Sequence, residues 1–85
     1  MMRRTKVEIL LDILETLTLD GPLRVTWLMR KVNVPWLRLK PYLTFAVNNF
    51  IIDRRGTTYQ ITPLGVNMYK KYLELQNIVK KFRRR

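Results

Sequence analysis

The breaks in this chain constrain it more than any other feature. Asp20-Gly21-Pro22, Asn33-Val34-Pro35, Arg54-Arg55-Gly56-Thr57 and Thr62-Pro63 each interrupt regular structure. Glycine tolerates the left-handed turn that follows a helix, and proline cannot continue one. Between these points there is room only for short elements, apart from one long segment at the end. The chain has 85 residues and no cysteine, so it is one domain's worth with a small core and no covalent staple.

Residues 5–19 read as an amphipathic helix. Val7, Leu10, Leu11, Ile13, Leu14 and Leu17 form its apolar stripe, opposite Glu8, Asp12 and Glu15. Leu23-Arg24-Val25 is β-leaning and fits a short added strand. Thr26 offers an N-cap to a second helix over 27–32, with Trp27, Leu28 and Val32 as its apolar positions. Pro35 suits the first position of a third helix over 35–48. Its inner face is expected to hold Leu39, Tyr42, Leu43, Ala46 and Phe50, with Trp36 and Val47 at the margin. Leu37, Pro41, Thr44 and Asn48 point outward, flanked by Arg38 and Lys40. Pro41 removes a helical hydrogen bond, so the helix either kinks there or begins only near Lys40; a kink is the expectation.

Residues 50–62 read as a hairpin with strands Phe50–Asp53 and Thr58–Ile61 and a turn at Arg54–Thr57. Tyr59 and Ile61 alternate inward, Thr58 and Gln60 outward. Thr62-Pro63 starts the last helix, to about Lys81, with Gly65 tolerated but unhelpful near its start. Along this helix Met68, Tyr72, Leu75, Val79 and Phe82 recur at spacings of four, three, four and three. That repeat pairs helices. It would also serve packing on the first helix of the same chain. Leu64, Tyr69, Leu73 and Ile78 add more apolar surface than one small domain readily covers, so a homodimer through Met68, Tyr72, Leu75, Val79 and Phe82 is expected.

The fold class is therefore mainly α with a small β-hairpin: a winged helix-turn-helix plus a long C-terminal helix. Residues 1–62 are expected to form its winged-helix part. Residues 63–85 form the C-terminal, dimerising helix with its basic tail, as part of the same domain.

Charge points to the partner. Seventeen Lys and Arg against six Asp and Glu give a net charge of +11. The first 20 residues hold three basic and four acidic residues, and the remaining 65 hold fourteen and two. A positive field carried by the middle and end of a short chain suggests a polyanionic partner. Ser, Cys and His are all absent, which removes the usual nucleophiles, the commonest general base near neutral pH and the commonest transition-metal ligands. Neither an enzyme activity nor a cofactor or metal is expected. No apolar run approaches about 18 residues. Glu8, Asp12 and Glu15 interrupt the stretch that should follow a signal peptide's charged start at Met1–Lys6. The expected location is the cytoplasm, associated with the nucleoid.

Two short helices joined by a tight turn, followed by a basic hairpin, suggest a helix-turn-helix with a wing. The third helix would then lie in the DNA major groove. Arg38 and Lys40 would meet guanine edges or phosphates, Leu37 a thymine methyl, and Thr44 or Asn48 a base or phosphate. Arg54 and Arg55 at the hairpin tip would touch phosphates or the minor groove. Arg24, Arg30 and Lys31 around the second helix would position phosphates. The tail Lys80–Arg85 would add non-specific phosphate contacts or meet a second chain. Trp36 is read as partly core.

Val7-Glu8-Ile9-Leu10 with Ile13-Leu14, Thr26–Val34, Tyr42-Leu43 and Tyr59-Gln60-Ile61-Thr62-Pro63-Leu64-Gly65 together resemble the small archaeal winged-helix DNA-binding proteins. That group includes dimeric archaeal chromatin proteins and single-domain regulators of archaea and their viruses. The resemblance covers nearly the whole chain. It implies DNA binding without enzyme activity or cofactor, and a last helix forming an antiparallel coiled coil with its twin. The group usually has Gly where this chain has Phe50, so a differently shaped start of the hairpin is expected. Pro41 is unusual within its recognition helix.

A protein–protein adaptor is a competing reading, since winged helices serve that role too. RNA binding is another; the expectation that most aromatics face the core, rather than forming a stacking platform, weighs against it.

Overall fold

The structure, a computed structural model, describes residues 4–83; Met1–Arg3, and Arg84 and Arg85 of the basic tail, lie outside the described residues. Seven elements follow one another: α1 (Lys6–Asp20), β1 (Leu23–Arg24), α2 (Val25–Val32), α3 (Trp36–Asn48), β2 (Ile52–Arg55), β3 (Thr58–Ile61) and α4 (Pro63–Arg83). The strands form one antiparallel sheet in the order β1-β3-β2. This is the expected fold class, including the added strand at Leu23-Arg24.

Local chemistry accounts for most element ends. Thr5 caps α1 in a reciprocal box: the Glu8 N–H donates to Thr5 Oγ1 at 3.1 Å, and the Thr5 N–H donates to Glu8 Oε1 at 2.7 Å. Gly21, at φ 78, ends the helix and donates to the Leu17 carbonyl. The N-cap of α2 is Arg24, not Thr26, and it makes no side-chain capping bond. Pairing with Thr58 holds Arg24 extended, so the helix must start at the next residue, Val25. Asn33 closes α2 in the left-handed region, φ 60 and ψ 49, a conformation asparagine tolerates.

Pro35 is likewise the N-cap of α3 rather than its first helical residue. Helix α3 runs from Trp36 to Asn48 through Pro41, which rules out a start near Lys40. Its end departs further from expectation. Phe50 is not on the inner face: it is 75 % exposed and adopts φ 60. The Ile51 N–H donates to the Ala46 carbonyl at 2.9 Å and the Phe50 N–H to the Val47 carbonyl at 3.1 Å. These are the two bonds of a Schellman helix end, with buried Ile51 and Ala46 at its apolar contact positions. Phe50 occupies the left-handed position, where glycine is favoured. The backbone at the start of the hairpin is thus one that suits glycine.

Strand β2 starts at Ile52 and extends through Arg54 and Arg55, so the turn is only Gly56-Thr57. Gly56, at φ 60, supplies the positive φ that a two-residue hairpin turn requires.

The core draws on every element but the end of α4. Ile13, Leu14 and Leu17 of α1 meet Leu28 and Val32 of α2, Leu39, Leu43 and Ala46 of α3, and Ile51, Ile52 and Tyr59 around the hairpin. The α1 stripe is rotated from its expected position: Ile9 is buried, whereas Val7 is 61 % exposed. Trp27 of α2 is also at the surface, and so is Trp36. The aromatics do not mostly face inward. Trp27, Trp36, Phe45, Phe50 and Phe82 are exposed, and among the described aromatics Tyr59 alone is buried. Periodicity locates a stripe, but neighbouring elements decide which of its edges is covered.

Helix α4 meets the body with its first half. Thr62 Oγ1 donates to the carbonyls of Phe50 and Ile51 and accepts the Gly65 N–H at 3.0 Å. Tyr69, Tyr72, Leu73 and Gln76 then line a cleft opposite Leu11, Asp12 and Glu15 of α1. Every residue from Leu73 to Arg83 is exposed. No helix among the described residues is long and apolar enough to cross a membrane.

Candidate nucleic-acid interface

Arg24, Arg30, Lys31, Leu37, Arg38, Lys40, Thr44, Arg54 and Arg55 are all exposed. Their surroundings differ. Lys31 pairs with Asp20 at 3.5 Å, and Arg55 Nε with Asp53 at 3.0 Å. Arg24, Arg30, Arg38, Lys40 and Arg54 form no salt bridge among the described residues. The acids explain this. Four of the six, Glu8, Asp12, Glu15 and Asp20, lie on α1, and α3 has none.

The sheet joins two arginines that are far apart in sequence. Arg24 of β1 and Arg55 of β2 both pair with Thr58 of β3, so the three form one row across the sheet. Paired residues share a face, which sets Arg24 and Arg55 on the face opposite buried Tyr59, with Thr58 between them. Arg54 pairs with Tyr59 instead, and its Nε donates to the Gly56 carbonyl at 3.1 Å. The two hairpin arginines therefore belong to opposite faces of the wing. Arg30 lies over the Trp27 ring, 5.4 Å from its centroid. That stacking holds a cation beside the second helix.

Arg38 and Lys40 are separated by about 160° around α3, so they flank its outward face rather than forming a cluster. Lys40 shares its side with Thr44, one turn on. Arg38 instead borders a groove between α3 and α1, lined also by Lys6, Val7, Leu37, Pro41 and Phe45. Phe45 and Val7 were not among the expected surface residues. A full helical projection of α3 puts Phe45 beside Pro41, on the edge away from Leu39 and Leu43. That signal was legible in the sequence.

The anticipated pairing residues of α4 divide. Tyr72 is half-buried in the cleft against α1. Met68, Leu75, Val79 and Phe82 are exposed, at 39 %, 59 %, 39 % and 82 %. Among the described residues no group of His, Cys, Asp and Glu could hold a metal ion.

A short α2, a tight turn, an exposed α3 and a two-stranded wing thus follow one another, with the first strand completing the sheet. A model of the winged helix-turn-helix family matches residues 3–80. No curated protein matches the chain. The chain belongs to the winged helix-turn-helix family, whose architecture suggests binding of double-stranded DNA.

Proposed function

We propose that the chain binds double-stranded DNA as a homodimer and acts as a transcriptional regulator or a chromatin component. In this reading α3 enters the major groove, and Leu37, Thr44 and the flanking Arg38 and Lys40 meet bases and phosphates. Arg54 and Arg55 of the wing, with Arg24 in the same sheet, hold the backbone, while Arg30 and Lys31 position it from α2. The observation that carries the reading is the segregation of charge. Among the described residues the cations of α2, α3 and the wing tip lack acidic partners, apart from Lys31 and Arg55, and most acids are collected on α1. Counterion release would then make affinity fall steeply with salt.

Dimerisation is proposed through α4. The helix turns Tyr69, Tyr72 and Leu73 toward α1. Beside these, Met68 stays exposed in its first half, and Leu75, Val79 and Phe82 stay exposed in its unsupported second half. An antiparallel partner helix would cover these side chains.

Titration of labelled duplex DNA, in parallel with duplex RNA of the same length and over a salt series, tests the reading. Tighter binding to DNA with a negative salt slope is expected. No DNA binding at low salt would sink it in favour of a protein-adaptor role. Selection from a random duplex pool separates a regulator, with a large affinity ratio for one site, from a chromatin component.

A further inference from the structure

The outward row of α3 has almost no hydrogen-bonding capacity. Leu37, Pro41 and Phe45 follow at intervals of four residues, so they stack one above the other along one side of the helix. The row is about 12 Å long, the rise of three to four base pairs. Leu37 is 83 % exposed and Phe45 53 %, and Val7 of α1 lies across the groove at 61 %. Pro41 cannot donate to the Leu37 carbonyl. An ordinary solvated helix face carries polar or charged residues; here Thr44 and Asn48 are polar, but the positions between and beside them are Leu37, Pro41 and Phe45.

Its borders are cationic. Lys6 of α1 and Arg38 of α3 both line the groove, which no acid lines, and Lys40 flanks the row on the far side of α3. The matching surface is anionic at both margins and apolar along its middle. A DNA major groove has that form where phosphates border pyrimidine bases bearing a C5 methyl group. Bidentate recognition of guanine or adenine needs Arg, Lys, Asn or Gln, and on the outward face only Asn48, in the last turn of α3, can supply it; Leu37, Pro41 and Phe45 offer the rest of the face's length to apolar groups.

We propose that α3 reads pyrimidine C5 methyl groups through the apolar row Leu37, Pro41 and Phe45. The inference rests on the DNA-binding reading above and deepens it. The ligand chemistry is a methylated pyrimidine edge, supplied by thymine in unmodified DNA and by 5-methylcytosine in modified DNA. Arg38 and Lys40 then serve the phosphates on either side, and sequence preference comes from the methyl groups.

Four duplexes of one length test this: A·T, A·U, G·C and G·5-methyl-C. Replacing thymine by uracil deletes only the methyl. Affinity is expected to fall by about fourfold for each methyl removed from the row's reach, and to rise similarly on methylating cytosine. A Leu37→Ala, Phe45→Ala double variant should bind all four alike while keeping its salt slope. Both side chains are exposed, so the fold should survive their loss. Preference of the wild type for both methylated duplexes supports the inference. A gain in only one arm assigns the methyl to thymine or to 5-methylcytosine. Equal affinity for methylated and unmethylated duplexes overturns the inference and leaves DNA binding standing. Failure to bind any duplex overturns both, and would turn the apolar row into a protein-docking surface.

Discussion

Gly65 brings the first turn of α4 against the main chain of Ile51. A Cβ at residue 65 would overlap the Ile51 carbonyl oxygen and lie 2.7 Å from Cγ1 of Ile61. The same carbonyl accepts bonds from the Thr62 N–H at 3.1 Å and Thr62 Oγ1 at 2.9 Å. The glycine is therefore required by close approach and is not merely tolerated. Gly65→Ala should destabilise the fold by about 1–3 kcal/mol, because backbone cannot yield as a flexible side chain can. A urea midpoint equal to the wild type would refute this.

Phe50 presents the opposite case. It holds a left-handed conformation with its side chain largely in water. Phe50→Gly should relieve strain of about 1 kcal/mol, partly offset by the greater freedom of glycine in the unfolded chain. A modest rise in the thermal midpoint is expected. A clear fall would mean that the exposed ring stabilises the fold.

The cations of the proposed interface are separable by salt. Arg38→Ala and Lys40→Ala should each weaken duplex binding. Arg54→Ala with Arg55→Ala should weaken it and lower the salt slope by about 1 for each phosphate left unneutralised. Within the wing, Arg54 should matter more than Arg55, whose guanidinium already pairs with Asp53. Unchanged affinity and slope in all variants would remove these residues from the interface.

For the last helix, Leu75→Asp with Val79→Asp should yield a monomer by sedimentation. Both side chains are exposed, so the fold of the single chain should be retained, as circular dichroism can check. A wild-type monomer at high concentration would end the dimer proposal.

Tyr69 ties α4 to α1 in a pH-dependent way. Burial disfavours its phenolate, and the nearby Glu15 carboxylate opposes a second negative charge, so its pKa lies above the ordinary 10.0. The folded state then keeps a proton that the unfolded chain releases. The associated stability is complete below the unfolded pKa and is lost as pH rises through the folded one. Thermal midpoints should therefore decline on the alkaline side. Tyr69→Phe should show a shallower decline, and identical alkaline profiles would contradict the assignment.

The element order was legible because it rests on local chemistry. Gly21, the Asn33-Val34-Pro35 turn, Gly56 and Thr62-Pro63 act through φ, missing N–H groups and capping bonds, all properties of residues and their immediate neighbours. The Thr5–Glu8 capping box belongs to the same class, as does the short strand at Leu23-Arg24. The outward position of Leu37, Arg38, Lys40 and Thr44 followed from the helical period alone.

Other features depended on what packs beside them. Ile9 replaced Val7 in the core because α2 and the sheet cover a particular side of α1, and no period specifies that side. Phe50 looked like a core residue by spacing, yet the helix had already ended in a Schellman turn that threw its side chain outward. Arg24 and Arg55 came into one row only through their common partner Thr58. Gly65 is explained by the Ile51 carbonyl, fourteen residues earlier in the chain. Which elements form, and in what order, was written largely in the residues themselves, since backbone conformation responds to local chemistry. Which apolar stripes are covered was settled by packing, which left the α3 row and the outer face of α4 open. Burial is a property of neighbours brought together from distant parts of the chain.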